Sequence, residues 1–172
     1  MFQEEASRSF DNLTTILEKI KPQLDKTDYE SIKFLINGSK TYLKTQYNSH
    51  LSHKAEARSH CTTCALTYVS QSNPTDEFDG KCEVQHSKRC RNCELLYELF
   101  DVFDGLLNDP TITSNFTPHE CDIMIKRLED AKDDISEYQR FIVRNHRQNA
   151  EWDKLFDAND TTQAMLTMDW VS

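Results

Sequence analysis

In SFDNLTTILEKIKPQL, Phe10, Leu13, Ile16, Leu17 and Ile20 recur at steps of three and four and share one face of a helix, which Pro22 ends or kinks. TDYE, at 27–30, reads as a capping box in which Thr27 caps and Glu30 reaches back. Ile32, Leu35, Ile36, Leu43 and Tyr47 then continue a second helical face to about His50, with Gly38 weakening it. Periodicity is lost over 52–89, and SQSNPTDEFDG, at 70–80, reads as a polar loop. From Cys90 a third helix carries Leu95, Leu96, Leu99, Phe100, Phe103, Leu106 and Leu107, and Asn108-Asp109-Pro110 stops it. TPHE, at 117–120, combines a capping Thr, a proline at the first helical position and a glutamate at the third. Cys121, Met124, Leu128, Ala131, Ile135, Tyr138 and Ile142 follow on one face of a fourth helix that is expected to end near 147, before a turn at FDANDTT. QAMLTMDWVS changes character to a short apolar run and reads as a buried strand.

The expected fold is therefore mainly α: a four-helix arrangement with an inserted Cys/His zinc site and a short C-terminal strand. Four segments follow from it: a helical pair over 1–56, a Cys/His segment with the third helix over 57–108, the long fourth helix and its turn over 109–160, and the terminal strand over 161–172. Composition agrees, since three glycines and four prolines in 172 residues are too few turn residues for an all-β chain. No apolar run approaches the roughly 20 residues of a membrane span. MFQEEASRSF lacks the basic and apolar regions of a signal peptide. The expected compartment is the nucleus or cytoplasm, where thiols stay reduced, and six cysteines there point to metal ahead of disulfides.

The candidate metal ligands are Cys61, Cys64, Cys82, His86, Cys90 and Cys93, from CTTC and KCEVQHSKRCRNC. A Cys-x-x-Cys pair lets two thiolates converge on one ion, and two pairs supply the four sulfurs of tetrahedral zinc. Three arrangements are open. Cys61, Cys64, Cys90 and Cys93 can form the site, with Cys82 and His86 beside it. Cys82, His86, Cys90 and Cys93 can form it alone, leaving CTTC spare. The two sets can also mix. Six ligands do not close two independent sites unless His53 or His60 joins. The start of the third helix, with Arg89 and Arg91, is expected to favour thiolate at Cys90 and Cys93. Cys121 reads as a core residue, His50, His53 and His60 as surface histidines, and His146 as a complement to a helix end. No strand-helix pattern surrounds CTTC, so a thioredoxin-type role is not expected.

Net charge is -9, yet residues 40–91 hold eight basic side chains against five acids. That stretch is a candidate nucleic-acid surface, through Lys40, Lys44, Lys54, Arg58, Lys81, Lys88, Arg89 and Arg91. No GxxxxGK[ST] or nucleophile motif occurs, and a thiolate-rich ligand set looks closed rather than catalytic, so no enzyme and no small-molecule substrate are expected. NLT, NGS and NFT match a glycosylation signal that means nothing without secretion.

HCTTCALTYVS, KCEVQHSKRCRNC, SEYQRFIVRNHRQNAEW and AMLTMDWVS, in that order, resemble the N-terminal part of invertebrate transposon-derived-like proteins, over about residues 55–172. The resemblance implies that QAMLTMD opens a ribonuclease-H-like nuclease fold, with Asp169 as its first metal-binding carboxylate. Two-metal chemistry needs further carboxylates from distant parts of such a fold, so no activity is expected of these residues. The expected function is a non-catalytic zinc-binding helical module, the nucleic-acid-contacting front part of a mobile-element-like protein. The alternative is a zinc-stabilised adaptor that binds another protein.

Overall fold

A computed structural model describes residues 2–65, 82 and 84–158. Its helices are α1 (Phe2–Ile20), α2 (Lys26–Thr45), α3 (Tyr47–His50), α4 (Arg91–Asn108), α5 (Pro110–Thr113) and α6 (Pro118–Ala158). The protein is mainly α, as its periodicity predicts, and four long helices carry the architecture. The expected strand over 161–172, with Asp169, and the polar loop over 70–80 lie outside the described residues.

The long helices form an up-down-up-down bundle in which α1 packs on α2 and α6, and α4 packs on α2 and α6. Cross-links fix their directions. Lys40 Nζ and Lys44 Nζ on α2 reach Asp11 and Ser7 on α1 at 2.6 and 3.1 Å. Ser9 donates to Asp134 at 2.7 Å and Lys19 pairs with Glu120 at 3.1 Å, so α6 also runs antiparallel to α1. Lys132 joins Asp104 at 2.6 Å between α6 and α4. The apolar faces read from the sequence form the shared core: Phe10, Leu13, Ile36, Leu43, Leu96, Leu99, Phe103, Met124, Leu128 and Ile135 are all buried.

Three boundaries differ from expectation. Helix α2 is capped by Asp25, which accepts from the Asp28 amide at 2.8 Å, and not by a Thr27–Glu30 box. The 3-10 turn at Lys21–Gln23, started by Pro22, sets Asp25 one residue ahead of the helix, so Thr27 already lies inside it. The second helix breaks at Gln46 instead of continuing to His50, and α3 turns Tyr47 fully inward. Helix α6 passes 147 and ends at Ala158. Its apolar stripe fades after Val143, but no glycine or proline interrupts it and Glu151 pairs with Lys154 one turn on. At about 1.5 Å per residue its 41 residues far outrun the 19 of α1, so its C-terminal part extends past the bundle. His146, expected near a helix end, lies within α6 and meets Asn48 of α3 at 3.3 Å. Thr117 and Glu120 form the predicted capping box, with Thr117 N–H donating to Glu120 at 2.9 Å and Glu120 N–H donating back to the Thr117 hydroxyl at 3.3 Å.

Two outcomes follow. Gly38 lies inside α2 with nothing within 4 Å of an added Cβ. Gly38→Ala raises stability by about 0.5–1 kcal/mol in urea unfolding, and a decrease would show that the site is tighter than it looks. The Glu120 carboxyl is held down from 4.5 to about 2, first by the Thr117 amide, then by Lys19 and the Thr117 hydroxyl. A folded-state pKa below the unfolded one stabilises above about pH 4.5 and ceases to do so as pH falls toward 2. Glu120→Gln therefore flattens the acid limb of a melting-temperature-against-pH curve in that window; an unchanged limb would remove this role.

Candidate metal centre

The connection between α3 and α4 folds back on the bundle end where α2 stops and α4 begins. Tyr47 anchors it from below, its hydroxyl donating to the Ser59 carbonyl at 3.0 Å. Two short parallel bridges, Ser52 with Cys61 and Ala57 with Lys88, draw its ends together. Ser52 N–H donates to His60 O at 3.0 Å and Thr62 N–H to Ser52 O at 3.2 Å, which holds residues 60–62 in register.

Within this frame the side chains gather into two groups that could each hold a metal ion. The first is Cys61, Cys64, Cys82 and His86, with their ligand atoms all within 4.8 Å of one another. Cys61 Sγ stands 3.6 Å from Cys82 Sγ, Cys82 Sγ 3.3 Å from His86 Nε2, and His86 Nε2 3.4 Å from Cys64 Sγ. A disulfide needs about 2.05 Å between sulfurs, so these are not bonded pairs. Donors about 2.0–2.3 Å from a tetrahedral ion stand about 3.4–3.8 Å apart, close to the spacings seen. The turn that begins at Cys61 sets the first pair: Cys64 N–H and Ala65 N–H both donate to Cys61 O, at 3.0 and 2.7 Å. His86 is oriented through its other nitrogen, since Nδ1 lies 3.1 Å from Ala55 O and donates to it. That fixes the tautomer whose free Nε2 faces the thiols.

The second group is His60, Cys90 and Cys93. His60 Nε2 is 3.4 Å from Cys93 Sγ. The Tyr42 hydroxyl stands over all three, 2.8 Å from His60 Nε2, 3.3 Å from Cys93 Sγ and 3.4 Å from Cys90 Sγ.

The structure thus brings all six expected ligands to one end of the bundle but divides them differently from the first two arrangements. CTTC joins Cys82 and His86, and Cys90 and Cys93 stand apart from it with His60. His60 is only 9 % exposed, not the surface histidine its sequence context suggests. One signal marked it: His60 directly precedes Cys61, a candidate ligand, and in the fold it closes the 3-10 turn while Cys61 leaves it in extended backbone. One faces each group. His53 is exposed and pairs with the Thr62 hydroxyl at 2.8 Å. Cys121 packs against the core as expected, half-buried, its thiol 3.7 Å from Thr113 O.

The thiols of the two groups differ in their electrostatics. Burial pushes Cys64 up to about 12 and Cys93 up to about 11. At Cys93 burial thus outweighs the expected help from the start of α4. Arg89 and Arg91 turn outward to Glu94 and Glu98. Cys82 alone is drawn down, to about 7, first by the Val84 amide and then by the Cys64 thiol. A metal ion supplies the positive charge that would hold the buried thiols as thiolates.

Apart from Cys93 and the flanking Cys90, the bundle core is built from residues outside the two groups. Chelation under reducing conditions should therefore leave most far-UV helical signal in place while alkylation of Cys61, Cys64 and Cys82 accelerates. Equal alkylation with and without chelator would show that no ion protects them. No protein-family model matches the chain, and no curated protein or solved structure matches it either, so its function is argued from this geometry.

Proposed function

We propose that the protein is a non-catalytic zinc-binding helical module that contacts nucleic-acid phosphates through the surface around its metal segment, as the front part of a mobile-element-like protein. The observation that carries the zinc reading is the convergence of Cys61, Cys64, Cys82 and His86 at the spacing of a tetrahedron. Three sulfurs and an imidazole are the donor set that suits zinc. Four protein donors leave no open position for a reacting water, which supports a structural role.

The nucleic-acid reading is supported by where cations stand. Two shallow clefts of about 510 and 530 Å³ flank residues 86–90, and Lys54, Arg58, Lys88 and Arg89 line them. Lys88 is occupied by Glu56. Arg89 is 90 % exposed and only 3.8 Å from Glu94, and Lys54 and Arg58 make no ion pair among the described residues. Lys54 and Arg58 are free to meet phosphate, and Arg89, in a long and exposed pair, can exchange Glu94 for it. The chain as a whole is acidic, and these cations mark a place on it where a polyanion could approach. A protein-adaptor role is favoured instead by α6, which exposes Ile123, Ile125, Phe141 and Trp152.

Salt separates the two. If three cations contact phosphate, log K for single- or double-stranded DNA should fall with log salt at a slope of about -2 to -3. Arg58→Ala and Arg89→Ala should each reduce that slope by about 0.9. Absence of binding at low salt, together with self-association or partner binding abolished by Trp152→Ala, would favour the adaptor.

A further inference from the structure

Three donors converge at the second group, and the residue that could complete them is already beside it. We propose that His60, Cys90 and Cys93 form a second zinc site closed by His50, so that the chain holds two ions linked through the His60–Cys61 peptide. This goes beyond the single structural ion above and deepens the zinc reading.

The rings of His50 and His60 have centroids 5.1 Å apart, with their planes inclined at 49°. Two imidazoles bound about 2.05 Å from one tetrahedral ion place their centroids about 5.2 Å apart. His50 ends α3, while His60 closes the 3-10 turn that Ser59 ties to Tyr47. The two histidines are thus held by the same local frame. His50 is exposed at the rim of the cleft that His60 and Cys90 also line, so its ring can turn inward without displacing core.

The Tyr42 hydroxyl is the other candidate for the fourth position, and chemistry argues against it. A neutral imidazole binds without losing a proton, whereas a phenol must give up one that it holds to about pH 10. Protein zinc is held by cysteine, histidine and carboxylate. Tyr42 instead stands where a hydroxyl donates to thiolates and steadies them. In this arrangement α2 touches the site through Tyr42, α3 through His50 and α4 through Cys90 and Cys93. The second ion would fasten the connection to three helices, while the first closes the connection on itself. His60 and Cys61, adjacent in the chain, would ligate different ions.

The test is zinc content and chelator competition on the full chain purified under reducing conditions. Two ions per chain are expected in the wild type, with one lost in Cys82→Ser and the other in Cys93→Ser. His50→Ala should weaken the ion that Cys93→Ser removes by about tenfold or more and change its cobalt spectrum, whereas Tyr42→Phe, which removes only a supporting hydrogen bond, should weaken the same ion without changing its cobalt ligand set. Because His50 is exposed, its variant should fold, and cobalt substitution reads the change in coordination of that one ion directly. A single wild-type ion that Cys82→Ser removes and Cys93→Ser leaves would overturn the second site and keep the first. Two ions with His50→Ala unaltered, or a cobalt ligand set that changes in Tyr42→Phe and not in His50→Ala, would overturn the assignment of His50. No zinc in the wild type would overturn the metal reading as a whole.

Discussion

Thiol and imidazole groups, buried or half-buried, that face one another across 3.3–3.6 Å are the constraint on which one end of this molecule depends. They occupy a long connection between two helices that must lie side by side. Ordering such a connection costs much of its conformational freedom. Backbone bridges at Ser52–Cys61 and Ala57–Lys88 are too few to offset that alone. Apparent binding energies of about 10–16 kcal/mol for structural zinc in small finger peptides are as large as the whole stability of a typical domain. A metal held by these groups would be an ordering agent whose magnitude fits the task.

The bundle beneath has a different source of stability. Its core is continuous across α1, α2, α4 and α6, and its polar links sit at the margins. The surface ion pairs contribute little each, since most are half exposed and screened by water. Tyr42 and Tyr47 join the two regimes. Both are buried, and both keep their phenolic protons because burial pushes them well above the usual range. One hydroxyl meets the second ligand group and the other holds the backbone at Ser59. The bundle thus provides a rigid floor for the ligands, a placement that side chains on loops alone would not keep.

Charge is arranged along the same axis. Lys54 and Arg58, without an ion pair among the described residues, and Arg89, only loosely paired with Glu94, stand around the connection. Counting basic residues from 40 to 91 overstates that surface. Lys40 bonds Asp11, Lys88 bonds Glu56 and Arg91 bonds Glu98, so these are already paired within the fold. Neighbours in space and not in sequence decide which charges remain available.

Helix faces, the Thr117 capping box and the clustering of cysteines were legible in the chain, because each depends on residues within a few turns of one another. The same local reasoning misplaced the α2 cap, since Asp25 becomes a cap only after Pro22 turns the chain. It ended α6 too early, since apolar periodicity reports burial and a helix can outrun its burial on propensity alone. Ligand partition lay beyond it entirely. CTTC and RCRNC look equivalent in sequence, yet the bend after α3 and the extended backbone at Cys61 send His60 and Cys61 to opposite sides. Sequence by itself determined which elements form and which residues can ligate. Tertiary structure decided which ligands meet, because donors a few ångströms apart in space are separated by 21 to 33 residues along the chain and only packing brings them together.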